Sequence, residues 1–546
     1  MMQFLALLGL AAASLLDGPQ LAAASTSDWS GWGGSYLNNH WASSATVSTS
    51  TIHSLSEHCK LTYPAGVSAP PAILNGFAYY STWNGSVVAV DYKRCSVKWQ
   101  INATAIIAGF RPLTTLQTVM TPLVARTSPQ IDEKNNVLYF GTQTWALMVA
   151  ADLNSGRVLG IKQINSHPLA TITMSPTLYR GTLYVGVSSA EENAAFFLNN
   201  NDTQYPCCSF IGNVVSLTFR RSTGKFTTNW DIPMIAPDAP TNGTGSWSGV
   251  GVWGSQPAID VQRGQVFFAT GNVYTVPDAY LPCTDPSADD SCLPPSIWQE
   301  SVIALDLATG KPNWVRRLSP LDAWTLVCGV PGVIPQNPVL CPQTPGPDAD
   351  FGMASAFVPG KHRRKDLVTL GQKSGNLYGL DAATGKVEWA TVTSPGGPGG
   401  GLMWGVAADD VRVYFTAINY PNLPWTLVPS NVTTNGSGFG AAGLTDGRVV
   451  WSIAGPEGRM TQVPPTVVGD LLLVGWTGPP PSGSPPLSSG PGGILALNRE
   501  TGAEVLRYPL EGPFYGGAAV QDKYVFVGTG YKGSTGQGSF YVLSVK

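Results

Sequence analysis

Residues 302–314 read V-I-A-L-D-L-A-T-G-K-P-N-W: an apolar strand, a tight turn at Thr309-Gly310, and a second strand closing on Trp314. A close copy, L-Y-G-L-D-A-A-T-G-K-V-E-W, follows at 377–389. Looser copies stand at 87–99, 147–160, 214–230, 438–451 and 494–508, and half a copy ends the chain at 540–545. A long period recurring over a whole chain marks a repeat architecture.

Each copy has an upstream partner that ends in a hydrophobic strand. These partners lie at 68–80, 128–142, 175–186, 256–272, 366–375, 406–416, 464–475 and 518–528. Two hairpins make a four-stranded blade, and eight such units closing on themselves predict an all-β, eight-bladed propeller. A blade has two apolar faces and cannot bury both alone. Stacking in a ring buries them and leaves no terminal unit to cap. Trp99, Trp230, Trp314, Trp389 and Trp451, which close successive hairpins, are expected to dock between blades as core aromatics.

The bulk numbers agree. The chain has 546 residues, 12% charged, with 62 Gly and 44 Pro, a composition of short strands and turns. The repeat covers nearly all of it, so residues 25–546 are read as one domain. A net charge of −3 gives no basic footprint for nucleic acid and no polybasic patch for a membrane, so neither partner is expected. Excess material at 191–208, 235–249, 274–300, 327–350 and 421–438 is read as loops, several folding over one face of the disc.

Residues 4–16 form an apolar run too short to span a membrane, and Ala22-Ala23-Ala24 offers a cleavage site. Residues 1–24 are therefore expected to be a signal peptide and the protein to be secreted. Sequons at Asn84, Asn102, Asn201, Asn242, Asn431 and Asn435 fit a glycoprotein. Eight cysteines in an exported chain suggest disulfides, and closure of local loops gives Cys59–Cys95, Cys207–Cys208, Cys283–Cys292 and Cys328–Cys341. There is no C-x-x-C-H motif for covalent haem.

Blades with T-G-K-x-x-W hairpins behind a secretory signal resemble the pyrroloquinoline-quinone (PQQ) dehydrogenases, with the closer likeness to the polyvinyl-alcohol-dehydrogenase-like branch. The opening D-W-S-G-W-G-G-S-Y-L-N-N-H-W (28–41) is similar to that family's first segment. The resemblance implies a quinone funnel. T-M-S-P (173–176) and V-S-S-A-E (187–191) point to Thr173, Ser189 and Ala190 around the cofactor and to Glu191 as a calcium ligand. G-V-W-G (251–254) gives Trp253 as the floor under the ring, and A-T-G-N (269–272) gives Asn272 as a second calcium ligand. G-Q-K-S-G-N (371–376) gives Lys373 against the quinone oxygens. A hard cation wants such oxygen donors, and at a quinone carbonyl it acts as a Lewis acid.

Two departures stand out. The family's general base closes a D-x-W-D motif, and P-L-D-A-W-T (320–325) puts Thr325 there; Asp322 becomes the candidate base, with Asp348 and Asp350 nearby in sequence. Ser68 replaces a Glu expected in the first blade. The Cys207-Cys208 pair follows Glu191, whereas the family's adjacent cysteines precede the Thr segment, so it is read as a loop staple.

The leading expectation is an alcohol-oxidising quinoprotein with PQQ, Ca²⁺, a small-molecule substrate and an external electron acceptor. One alternative is a cofactor-free enzyme of secondary metabolism, a pericyclase of the hetero-Diels–Alder kind, using the funnel as a shaped pocket. The other is a non-catalytic binding propeller.

Overall fold

The computed structural model describes residues 29–199, 205–285, 290–330, 334–337, 341–342, 344–361, 364–420, 422–456, 459–478, 490–532 and 537–546. The expected signal peptide (1–24), Asp28 and the Asn201 sequon lie outside the described residues. The other five sequon asparagines are exposed.

Eight four-stranded antiparallel blades follow one another around the ring. They cover 72–102, 130–163, 177–233, 258–317, 356–392, 407–454, 466–509 and 519–544, numbered here blades 1 to 8. Inner strands are buried on both faces, as in Ser301–Asp306, whereas outermost strands such as Val387–Val392 alternate. Blade 8 has only three strands of its own. Ser56–Thr62 supplies its outer strand by pairing antiparallel with Ser539–Ser544, so the chain's beginning locks its end.

The hairpin turns explain the repeat. In blade 4, Asp306 Oδ1 accepts from the N–H groups of Ala308 (3.1 Å) and Thr309 (2.8 Å) and from the Thr309 hydroxyl (2.7 Å). Gly310 then turns the chain at φ +69°, where a Cβ is disfavoured. The recurrent Trp docks on the next blade's turn. Trp314 donates Nε1–H to the Ala382 carbonyl at 3.0 Å, and a Cβ on Gly385 would come within 2.5 Å of its ring. Trp99 with Gly156, Trp230 with Gly310, Trp389 with Gly447 and Trp451 with Gly502 repeat this seam. The expected docking of these aromatics between blades is borne out.

The centre of the ring is filled by residues 29–41. Carbonyls of Trp29, Tyr36, Leu37, Asn39 and His40 accept from Ile73, Ile259, Phe357, Ala408 and Val467, at 2.8–2.9 Å. Those donors sit on the first strands of blades 1, 4, 5, 6 and 7. His40 is fully buried with neither ring nitrogen bonded, and desolvation pushes its pKa down to about 3, so it stays neutral.

Three expectations change. Cys59 and Cys95 are neighbouring free thiols rather than a disulfide. Cys95 occupies a turn at φ +57° with its Sγ toward the His58 carbonyl. The other three pairs are bonded. Helices Ala103–Phe110 and Thr115–Met120 were not anticipated. The 191–208 stretch, read as loop, begins with helix Glu191–Asn199. Among the described residues no helix is long and apolar enough to cross a membrane.

Candidate functional site

On one face of the disc a polar funnel of about 180 Å³ is lined from five blades. Arg126 comes from the segment entering blade 2; Thr173, Ser189 and Glu192 come from blade 3; Trp253 and Asn272 come from blade 4. Asp350 and Lys373 belong to blade 5 and Trp404 precedes blade 6.

Lys373 is the charged centre. Its ammonium donates to Asp348 Oδ1 at 2.8 Å and Asp350 Oδ2 at 3.0 Å, and lies 5.4 Å from the centroid of the Trp253 ring. Burial works against this charge, but Asp348, Asp350 and Glu192 more than offset it, so its pKa rises and the lysine is fixed as a cation. Both oxygens of Asp350 accept hydrogen bonds. Its Oδ1 accepts from the Asn272 N–H at 2.7 Å, and its Oδ2 accepts from the Trp253 indole at 3.1 Å. Trp253 meets Trp404 edge to face at 5.5 Å, and Thr173 donates to the Trp253 carbonyl at 2.9 Å. The indole is thereby held from several sides.

Asn272 gives its amide hydrogens to the carbonyls of Val273 (2.9 Å) and Trp324 (2.6 Å), which leaves Oδ1 as an acceptor on a residue lining the funnel. Glu192 is pushed up to about 7, chiefly by desolvation, with Lys373 pulling down and Asp350 pushing up.

The funnel thus gathers Thr173, Ser189, Trp253, Asn272 and Lys373 as the sequence suggested. Ala190 is buried beside it, its N–H bonded to the Leu169 carbonyl, and it does not line the cavity. Glu191 must be corrected. It is fully buried, and its Oε1 accepts from the Tyr205 hydroxyl (2.9 Å) and Ser209 N–H (2.9 Å). Its Oε2 accepts from the Phe210 N–H (2.8 Å), and His167 lies 3.5 Å away. It therefore clamps the loop carrying the Cys207–Cys208 disulfide. Successive helical residues point about 100° apart, and the neighbour, Glu192, is the one that faces the funnel.

Asp322 must be corrected too. It is 0% exposed and accepts from the Asp348 (3.1 Å) and Ala349 (2.6 Å) N–H groups, so it anchors the loop behind the funnel and cannot meet a substrate. Burial raises its pKa, and Glu300, whose carboxyl is raised further by the same burial, donates to it. Asp350 takes the position at the cavity. Thr325 lines a separate cavity of about 380 Å³ with Tyr274 and Cys207. Sequence reasoning missed Arg126 and Trp404, and it passed over Glu192 in favour of Glu191. The Glu-Glu doublet was the one signal available, and choosing between its members needs the helix register.

Among the described residues no three His, Cys, Asp or Glu side chains form a ready-made metal cluster. The oxygen donors that the funnel does present are Glu192, Asp350 and the Asn272 amide, a set suited to a hard cation that takes further ligands from a bound molecule.

The fold has solved counterparts. The quinohemoprotein alcohol dehydrogenase of Comamonas testosteroni superposes with a TM-score of 0.66 at 15% identity, over 96% of this chain and 81% of that one. A europium-containing methanol dehydrogenase gives 0.64 at 15% identity, over 95% and 98% of the two chains. Two curated relatives are polyvinylalcohol dehydrogenases, from a Pseudomonas species (27% identity over 81% of this chain) and from Sphingopyxis strain 113P3 (27% over 73%). The chain spans 63% and 57% of their respective lengths. Residues 29–329 match the model described as PQQ, glucose/ethanol/alcohol dehydrogenase, β-propeller domain. That match covers more than half of the chain, which belongs to this family of quinoprotein alcohol dehydrogenase-like β-propellers.

Proposed function

We propose that this protein oxidises an alcohol, with Trp253 as the surface that would hold PQQ and Glu192 and Asn272 as the residues that would hold a calcium ion. The observation that carries the reading is the convergence of an indole face, two cations and an oxygen-donor set on one funnel. PQQ is a flat polyacid, and Trp253 offers a planar apolar surface with the Lys373 cation 5.4 Å from its ring centroid. When bound, quinone and calcium together supply a polarised hydride acceptor.

The chain's own residues do the rest. Asp350 is the carboxylate at the cavity that takes the hydroxyl proton, the task Thr325 cannot perform at neutral pH. Lys373, 3.0 Å away, offsets negative charge that develops beside it. Trp253 and Asn272 fix the orientation of Asp350 through their N–H groups, so no reorganisation is needed at the moment of reaction. The electrons leave to an external acceptor, and the secretory reading of residues 1–24 sets this chemistry outside the cytosol.

The test is dye reduction by protein loaded with PQQ and Ca²⁺, across primary and secondary alcohols. We expect alcohol-dependent turnover that drops at least about 100-fold in Asp350→Asn, the scale of one general base. Loaded protein that reduces no dye with any alcohol contradicts the proposal.

A further inference from the structure

Arg126 joins the funnel to a second cavity outside it. Its guanidinium lies 5.6 Å from the Trp404 ring on the funnel wall and 5.9 Å from the rings of both Trp83 and Tyr531. Its Nη1 donates to the Tyr531 hydroxyl at 3.3 Å. Lys532 adds a second cation, 5.4 Å from Tyr531 and 5.9 Å from Trp83. Trp83 and Lys532, with Met120 and Phe197, line an outer cavity of about 670 Å³. Phe197 lies on the helix whose first turn brings Glu192 into the funnel, so the two spaces share a wall.

The charge pattern is unlike that of the funnel floor. Lys373 is matched by two carboxylates, whereas among the described residues neither Arg126 nor Lys532 makes an ion pair. Two cations held against aromatic faces, neither of them in an ion pair, favour an anionic ligand. Tyr531 reports the local field. Burial pushes its phenol up, yet Arg126 and Lys532 hold it below the ordinary value. An anion beside it experiences the same two cations.

We propose that this collar is the outer part of the substrate site and takes an acidic aromatic molecule, its carboxylate or phenolate between Arg126 and Lys532 and its ring against Trp83, Met120 and Phe197. The proposal rests on the funnel being the reaction site. A neutral polymer leaves both cations unmatched, so the collar gives this chain a different preference from the polymer in its relatives' names.

The test is calorimetric titration of the full secreted chain, without cofactor, with 4-(hydroxymethyl)benzoate and its neutral amide. We expect the acid to bind at least about tenfold more tightly, with a preference that weakens as salt is raised. Lys532→Gln should reduce that preference several-fold, and Lys532→Gln with Arg126→Gln should remove it. Equal affinity for the two probes, no binding of either, or a preference that survives the double change overturns the proposal. Dye reduction with loaded protein separates this from the reading beneath it. Equal kcat/KM for acid and amide overturns the collar and leaves the oxidoreductase standing. Acid-selective binding without turnover of any alcohol removes the oxidoreductase and leaves the collar's ligand class standing.

Discussion

The seams between blades and the funnel are built by opposite rules. At the seams one arrangement is used five times: a Trp closes a hairpin, donates to a backbone carbonyl of the next blade, and rests on a glycine there. In the funnel nothing repeats, and five blades contribute different side chains in unequal number. Backbone near the funnel also leaves the ordinary regions, with Val250 (φ +55°), Ser255 (+45°), Glu300 (+43°), Asp348 (+56°) and Trp404 (+74°) all left-handed without being glycine. Such positions cost about 1–3 kcal/mol each and persist only where surrounding structure holds them. The regular seams supply that support, and the irregular loops convert it into a site.

Breaking the funnel's charge balance should have the largest effect. Lys373→Met leaves Asp348 and Asp350 buried without their cation, which typically costs about 3–5 kcal/mol. Chemical denaturation should show that loss, and PQQ titration should show binding abolished. A seam change of similar energy should behave differently. Trp389→Ala removes a buried indole at about 3–5 kcal/mol, yet the remaining folded protein should bind PQQ with unchanged affinity. If Trp389→Ala weakens binding as much as Lys373→Met, the two regions are not separate.

A finer comparison lies behind the funnel. Glu300 and Asp322 are both fully buried, and Glu300 has a carboxylate oxygen with no donor of its own. Burial and the neighbouring Asp322 both raise the Glu300 carboxyl well above its ordinary range, which favours its protonated form. Glu300→Gln keeps a donor toward Asp322 and should change stability by less than about 1 kcal/mol. Asp322→Asn should cost about 1–3 kcal/mol, because it disturbs two bonds that hold the Asp350 loop. Urea midpoints of the two variants check the order.

The smallest effect belongs to a turn on the blades' rim. Burial raises the Asp152 carboxyl, but bonds from Arg221 and Ser155 outweigh it and hold it down at about 2. A depressed acid stabilises the fold above its unfolded pKa of about 3.9, and that contribution fades as pH falls toward 2. Arg221→Ala should therefore lower stability by no more than about 1 kcal/mol at pH 7, and wild type and variant should converge as pH falls to about 2. Thermal melts across that range read it directly.

The same contrast explains how much was legible in the chain. Blade count, hairpins and seam tryptophans recur, and recurrence announces itself in V-I-A-L-D-L-A-T-G-K-P-N-W and its copies. Thr173, Ser189, Trp253, Asn272 and Lys373 were found because each sits in a short motif next to a blade strand. Glu191 was chosen over Glu192 because motif matching ignores helical register, which turns one residue toward Ser209 and Phe210 and the other toward Lys373. Asp322 was chosen over Asp350 because proximity to Thr325 in sequence does not reveal which carboxylate the loop at 346–350 brings to the cavity. The closing role of Ser56–Thr62 was hidden because a lone strand carries no repeat signature.

The proposed function makes the funnel over Trp253 a calcium-dependent quinone site. It is tested most directly by titrating EDTA-stripped protein with PQQ, with and without Ca²⁺, and following tryptophan fluorescence. The account predicts saturable quenching that requires Ca²⁺, disappears in Glu192→Gln and survives in Trp389→Phe. Quenching that is absent at saturating PQQ, or that persists unchanged in Glu192→Gln, contradicts it.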